Sequence, residues 1–171
     1  INTDPLNGVV VVNGSVATYT PDIDFSGSDS FEFSVSDGEL SDSAIVSITV
    51  SAVNDAPVLA NISDVSFDED DTDTITLSAD DVDGDDLTFS ISGGSDITAT
   101  LSGSDVSFSA PINYNGSETF TVTVSDGNGG QDSQSITVIV NAVNDAPVLS
   151  SIGDRETSED EPLNILLSAF D

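Results

Sequence analysis

Apolar and polar residues alternate with a period of two over most of this chain. Ser30-Phe31-Glu32-Phe33-Ser34-Val35-Ser36 is the clearest case, and Val46 to Val50, Thr119 to Val124 and Ser135 to Val138 follow the same rule. Asp73-Thr74-Ile75-Thr76-Leu77 and Leu87-Thr88-Phe89-Ser90-Ile91 do likewise. A period of two places successive side chains on opposite faces of a strand, so these segments predict strands with one buried face and one face wetted by Ser, Thr and Asp. The dipeptides Asn7-Gly8, Asn13-Gly14, Asp37-Gly38, Asp83-Gly84, Gly93-Gly94 and Asp126-Gly127 supply turn chemistry between them. No segment sustains a helical period. Phe31, Phe33, Phe89, Phe108, Tyr114 and Phe120 fall where core side chains belong, and an aromatic sugar platform is the lesser reading for them.

The pattern also repeats on a domain scale. Ala52-Val53-Asn54-Asp55-Ala56-Pro57-Val58-Leu59 recurs unchanged as Ala142-Val143-Asn144-Asp145-Ala146-Pro147-Val148-Leu149, an offset of 90 residues. Phe31 to Gly38 matches Phe120 to Gly127, and Phe67-Asp68-Glu69-Asp70 matches Thr157-Ser158-Glu159-Asp160. Boundaries at the Asn-Asp-Ala-Pro junctions predict one complete repeat over 56–145. Residues 1–55 are then the later part of a preceding repeat, and residues 146–171 the first part of a following one. A repeat of this size with about seven short strands predicts an all-β fold, an Ig-like Greek-key β-sandwich. Each partial repeat would expose strand edges, which neighbouring repeats, or other copies joined head to tail, would cover.

Composition narrows the function. The 171 residues hold 32 Asp and Glu, one basic residue (Arg155) and no His, for a net charge of −31. Nothing here could neutralise phosphates, which excludes nucleic acid, and an anionic membrane surface is excluded by the same sign. Disorder is the usual reading of so acidic a chain, but 37% of the residues are hydrophobic and fall in alternating runs. Cys is absent, so no disulfide stiffens the fold. No run approaches the ~20 apolar residues of a membrane span. No signal peptide opens the chain, and Ile1 reads as an internal position. With no His, Cys or Lys, catalysis would rest on paired carboxylates alone. The repetition of the acidic motifs argues against that, so the expectation is no enzyme.

Acidity can mean a solvated surface or cation binding. The acids recur at fixed places: Glu69 and Glu159 before a strand, Asp81-Val82-Asp83-Gly84-Asp85 after one, Asn54-Asp55 and Asn144-Asp145 at the junctions, and Asp37 and Asp126 in Ser-Asp-Gly turns. Taken singly, each has a plain reading as a turn or a solvated loop. Together, Asp80, Asp81, Asp83, Asp85 and Asp86 make a loop that repels itself unless cations or salt screen it.

These motifs resemble those of cadherin repeats, and more closely the cadherin-like tandem repeats of large bacterial surface proteins and adhesins. Asn54-Asp55-Ala56-Pro57 resembles the family's linker, with one residue fewer before the proline. Asp81-Val82-Asp83 resembles its Asp-x-Asp motif, Glu69 its Glu near the first strand, and Asp126 its later Asp turn. The resemblance implies Ca2+ between consecutive domains. One junction would combine Asp24, Asn54, Asp55, Asp81, Asp83 and Asp126; the next would combine Glu69, Asn144, Asp145 and Asp171. Ala52 and Ala142 stand where the family's linker opens with an acid, and Asp24-Phe25-Ser26 and Asn113-Tyr114-Asn115 stand where an Asp-x-Glu would lie. Both departures imply fewer ions per junction.

The expected function is a calcium-rigidified spacer or filament segment of a secreted or surface-anchored bacterial adhesin. The alternative is a calcium-dependent binding module for polysaccharide or for other copies of itself. The absence of Trp and the presence of only Tyr19 and Tyr114 count against sugar stacking.

Overall fold

The structure is a computed structural model that describes residues 1–170, and no helix occurs among them. The first four strands are β1 (Gly8–Asn13), β2 (Val16–Pro21), β3 (Gly27–Ser36) and β4 (Ser41–Val50). Nine follow between the two junctions: β5 (Val58–Leu59), β6 (Val65–Asp68), β7 (Thr72–Thr76), β8 (Ala79–Asp80), β9 (Thr88–Gly93), β10 (Thr98–Ser102), β11 (Asp105–Ser109), β12 (Gly116–Ser125) and β13 (Gln131–Asn141). Two more close the series, β14 (Val148–Leu149) and β15 (Ala169–Phe170). The pattern predicts about seven strands per repeat; the excess comes from β5 and β8, which are too short to show a periodicity.

The repeat is visible in the elements themselves. β1 to β4 have β10 to β13 as counterparts, with starts displaced by 89 or 90 residues. In β10-β11-β7 the strands are antiparallel, with Leu101 opposite Val106 and Val106 opposite Ile75. The second sheet has the order β6-β13-β12-β9, and β6 joins it parallel to β13 with Val65 opposite Val138 and Phe67 opposite Val140. A parallel neighbour cannot be joined by a short hairpin, and here the chain from β6 to β13 passes through all the strands between them.

The chain forms two compact units. The first takes residues 1–61, 77–90 and 122–134. It holds the β1–β2 and β3–β4 hairpins and the short antiparallel pair of β5 with β8. Its buried apolar residues are Phe31, Leu59, Leu77, Val122 and Val124, with Pro57 also enclosed. The second takes residues 62–76, 91–121 and the chain from Ser135 on. Its core holds Val65, Phe67, Ile97, Val106, Phe108, Phe120, Ile136, Val138 and Val140. The Phe108 and Phe120 rings meet edge to face, 5.5 Å between centroids at 69°.

Three expectations from the pattern need correction. Phe33 is 41% exposed, although its counterpart Val122 is fully buried. Residues 1–55 carry counterparts of β10 to β13 alone, so that face of β3 is covered at Phe31, which is 5% exposed, but not fully at Phe33. Tyr114 and Phe89 are half-buried instead of core residues. Asn7-Gly8 is no hairpin turn: Gly8 opens β1, and a Cβ there would stand 2.5 Å from the Thr20 carbonyl oxygen and 2.7 Å from the Tyr19 ring.

Candidate metal centre

The junction motif is held in place by its flanks. Pro57 is enclosed, and Leu59 donates its N–H to Asp132 Oδ2 at 2.9 Å while pairing with Ala79. That pairing brings the linker beside the loop following β8. The loop turns tightly, with the Gly84 N–H donated to the Asp81 carbonyl at 3.3 Å and Gly84 at φ 77, a backbone region open to glycine at little cost. Asp81 Oδ1 accepts the N–H groups of Asp83 at 2.9 Å and Asp85 at 3.4 Å. Asp81 Oδ2 is buried and has no hydrogen-bond partner. A buried carboxylate oxygen left unpaired is costly, so this position favours a partner that can satisfy it.

Asp126 arrives from the turn between β12 and β13 and is only 5% exposed. Its Oδ1 accepts the N–H groups of Asn128 at 2.8 Å, Gly129 at 3.0 Å and Gly130 at 2.9 Å. Its Oδ2 accepts the Asn54 side-chain amide at 2.8 Å and the Gly130 N–H at 3.0 Å. The Asn54 hydrogen bond is the largest cause holding the Asp126 carboxyl below its ordinary value; burial opposes it, and the backbone N–H groups reinforce it. Gly130 must lack a side chain, because a Cβ there would collide with Asp126 Oδ2 and lie 2.7 Å from the Ala56 Cα.

Asp81, Asp85 and Asp126 bring one carboxylate oxygen each to within 4.8 Å of one another. Asp85 is steadied by the Asn128 side-chain amide, which donates to its Oδ2 at 2.8 Å. Three carboxylates at this range repel, and Arg155 is the chain's single basic side chain. The donor set is all oxygen, with a buried oxygen unpaired, which suits a hard cation such as calcium or magnesium. The residues present therefore fit such an ion.

Of the residues the motifs single out, Asp81 and Asp126 meet in this cluster. Asn54 touches it through Asp126. Asp55 and Asp83 are one step removed, with the Asp55 N–H donated to Asp83 Oδ2 at 2.8 Å. Asp24 takes φ 59 and lines a cleft with Asp22, Phe25, Val53, Asp55 and Asp83. Asp85 belongs to the cluster, whereas from this loop the family resemblance implies Asp81 and Asp83 as ligands. The turn at Gly84 explains it: a tight reversal returns the residue four places on from Asp81, and carries Asp83 outward. The Asp-Gly-Asp spacing was the available signal.

The second junction has no such cluster among the described residues. Glu69 Oε1 accepts the Val143 N–H at 2.6 Å, and Asn144 donates its side-chain amide to the Asp145 carbonyl at 2.9 Å. Asp145 is exposed, and Asp171 lies outside the described residues.

No curated protein matches the chain. Among solved structures it is similar to protocadherin gamma B2 cadherin domains 3–6, at 16% identity with a TM-score of 0.53 over 96% of this chain and 44% of that one. It is similar also to domains 1–5 of the same protein, at 19% identity and a TM-score of 0.52 over 83% and 33% of the two chains. Human protocadherin-24 EC1-2 matches at 30% identity and a TM-score of 0.45, over 59% of this chain and 50% of that one. The chain thus spans half or less of each of these. The fold is that of cadherin ectodomain repeats, as the order of the acidic motifs implies. A family model described as the bacterial Ig domain matches residues 1–49 and 54–139. The chain belongs to the bacterial Ig domain family.

Proposed function

We propose that this chain is a structural segment of a secreted or surface-anchored bacterial adhesin-type protein, and that calcium stiffens its first junction. It comprises the later part of one repeat over 1–55, a complete repeat over 56–145 and the first part of a third over 146–171, and it carries no catalytic activity. The observation that carries the calcium reading is the unpaired, buried Asp81 Oδ2 beside Asp85 and Asp126.

Asp81, Asp85 and Asp126 hold the ion directly. Asn54 orients Asp126, and Asp24, Asp55 and Asp83 form the outer acidic ring. A bound dication would relieve the repulsion among these carboxylates and fix the linker against the β8 and β12 ends. At the second junction Glu69, Asn144, Asp145 and Asp171 are the residues that an ion shared with the following repeat would draw on. Extracellular calcium modules bind at about 10⁻⁴ to 10⁻³ M. At a hundredfold excess over the dissociation constant, binding adds ~2.7 kcal/mol per site, a large share of a domain stability of ~5–15 kcal/mol.

Titration with calcium and then EDTA tests this, read by melting temperature and hydrodynamic radius. Calcium is expected to raise the first and fix the second; no change in either would reject the reading.

A further inference from the structure

We propose that the outer edge of β1 is a self-association edge, joining two copies of this chain side by side through an antiparallel β1–β1 pair. Among the described residues β1 pairs with β2 alone, in a two-stranded sheet. Its counterpart β10 stands at the end of the β10-β11-β7 order, so this edge stays free even where the repeat is complete. Gly14-Ser15 is a two-residue hairpin loop with Asn13 opposite Val16. In such a hairpin the pair flanking the loop is hydrogen-bonded, so Asn13, Val11 and Val9 turn their amides toward β2. Gly8, Val10 and Val12 then turn theirs outward.

Free edges are ordinarily blunted by charge, proline or a bulge. This one carries none of these, its sequence being Gly-Val-Val-Val-Val-Asn. The contrast with β10 is informative. At Thr98, Thr100 and Asp105 of the complete repeat, on the outer sheet face, the first repeat has Val9, Val11 and Val16. These valines are 59%, 62% and 61% exposed. Val12, on the inner face of β1, is 54% exposed as well, so what sets the outer face apart is the replacement of Thr and Asp by valine.

Charge and symmetry select the occupant. With a net charge of −31, two copies repel over most of their surface, yet residues 5–21 contain no charged side chain at all. The strand is also nearly self-complementary about Val10. A two-fold axis there sets Val10 against Val10 of the second copy, Val9 against Val11, and small Gly8 against Val12, with outward amides facing one another. Such an interface is isologous and closes at two copies. The association would join two copies laterally and does not depend on calcium.

Sedimentation equilibrium of the 171-residue chain tests it, in EDTA and at about 1 M salt, where the Debye length falls to ~3 Å and the repulsion is screened. The expected result is a monomer–dimer equilibrium, with association weakening as salt is lowered. Val10→Pro removes an outward N–H and spares the β2 ladder, and Val11→Lys places a charge on the edge. Each should weaken dimerisation at least tenfold while circular dichroism stays unchanged. Since the chain has no native cysteine, the double variant Val9→Cys/Val11→Cys should oxidise to a covalent dimer, while Thr98→Cys/Thr100→Cys should not. A monomer at every concentration would overturn the proposal. So would association that resists both edge variants and disappears when residues 146–171 are deleted, which would mark a head-to-tail contact.

Discussion

Asn54, in the linker, donates its side-chain amide at 2.8 Å to Asp126, which lies 72 positions further along the chain. One hydrogen bond thus ties the junction to the turn after β12, and it acts on the carboxylate that the cluster needs ionised. Asn54→Ala should leave the fold intact and weaken calcium binding about tenfold or more, as loss of an outer-shell partner typically does. Calorimetric titration of the variant measures this, and an unchanged affinity would show that Asp126 needs no such support.

Asp81→Asn separates the ion's contribution from that of the apo fold. The amide oxygen can still accept the Asp83 and Asp85 N–H groups, so the turn survives. Removing one charge from the cluster also lessens its repulsion. In EDTA the variant should melt at or above the wild-type temperature, whereas in calcium it should lose most of the ~2.7 kcal/mol that hundredfold saturation supplies. Melting curves with and without calcium decide the point; a variant that responds like the wild type would remove Asp81 from the ligand set.

Gly130→Ala should damage the site by steric means. Its Cβ would meet Asp126 Oδ2 and the Ala56 backbone, and backbone yields less readily than a flexible side chain. The expected result is a lower melting temperature together with weaker calcium binding. Gly129→Ala is the comparison: it has no atom within 4 Å of its Cβ but takes φ 117, so it should strain the turn without filling the site. Equal affinities in the two variants would show that contact with Asp126 is not what matters.

Acid should destabilise the fold through carboxylates that accept backbone N–H groups. Asp126 is lowered first by Asn54, and Asp37 by the Leu40 and Glu39 N–H groups, each from 3.8. Glu118 is lowered from 4.5 by the N–H groups of Asp96, Ser95 and, less strongly, Ile97. At Asp29 burial pushes upward, but the Asn7, Leu6 and Ser30 N–H groups with the Tyr19 hydroxyl prevail and lower it from 3.8. A depressed folded pKa means the unfolded chain binds the proton more readily. The stabilisation is therefore complete above the unfolded values and is lost as pH falls through the folded ones. In EDTA and about 1 M salt, where long-range repulsion is screened, the melting temperature should hold to about pH 5 and fall below about pH 4. A melting temperature that rises through that range would contradict the assignment.

The aromatic pair in the second unit should dominate its stability. Phe108 and Phe120 are 0% and 1% exposed, so truncating either to Ala should cost about 3–5 kcal/mol. Phe33→Ala, at a 41% exposed position, should cost much less. Urea unfolding curves compare the three, and similar losses would mean that Phe33 is covered in solution.

The sequence by itself determined the longer strands, their repeat and most turn positions, because a period of two and an Asp-Gly or Asn-Gly dipeptide act over a few residues and do not depend on distant chain. The two-residue β5 and β8 and the strand start at Gly8 escaped it. It also determined that acids cluster at the junction, since the spacing of Asp81, Asp83 and Asp85 lies within one loop. Only the tertiary structure decided which acids meet. Asp81 and Asp126 are 45 positions apart, and their approach depends on β5 pairing with β8 and on the turn that ends β12. The same packing chose Asp85 over Asp83, because the reversal at Gly84 sends neighbouring side chains in different directions. It left Phe33 open where Val122 is enclosed, because burial depends on which strands lie over a face and local alternation says only which face a residue takes.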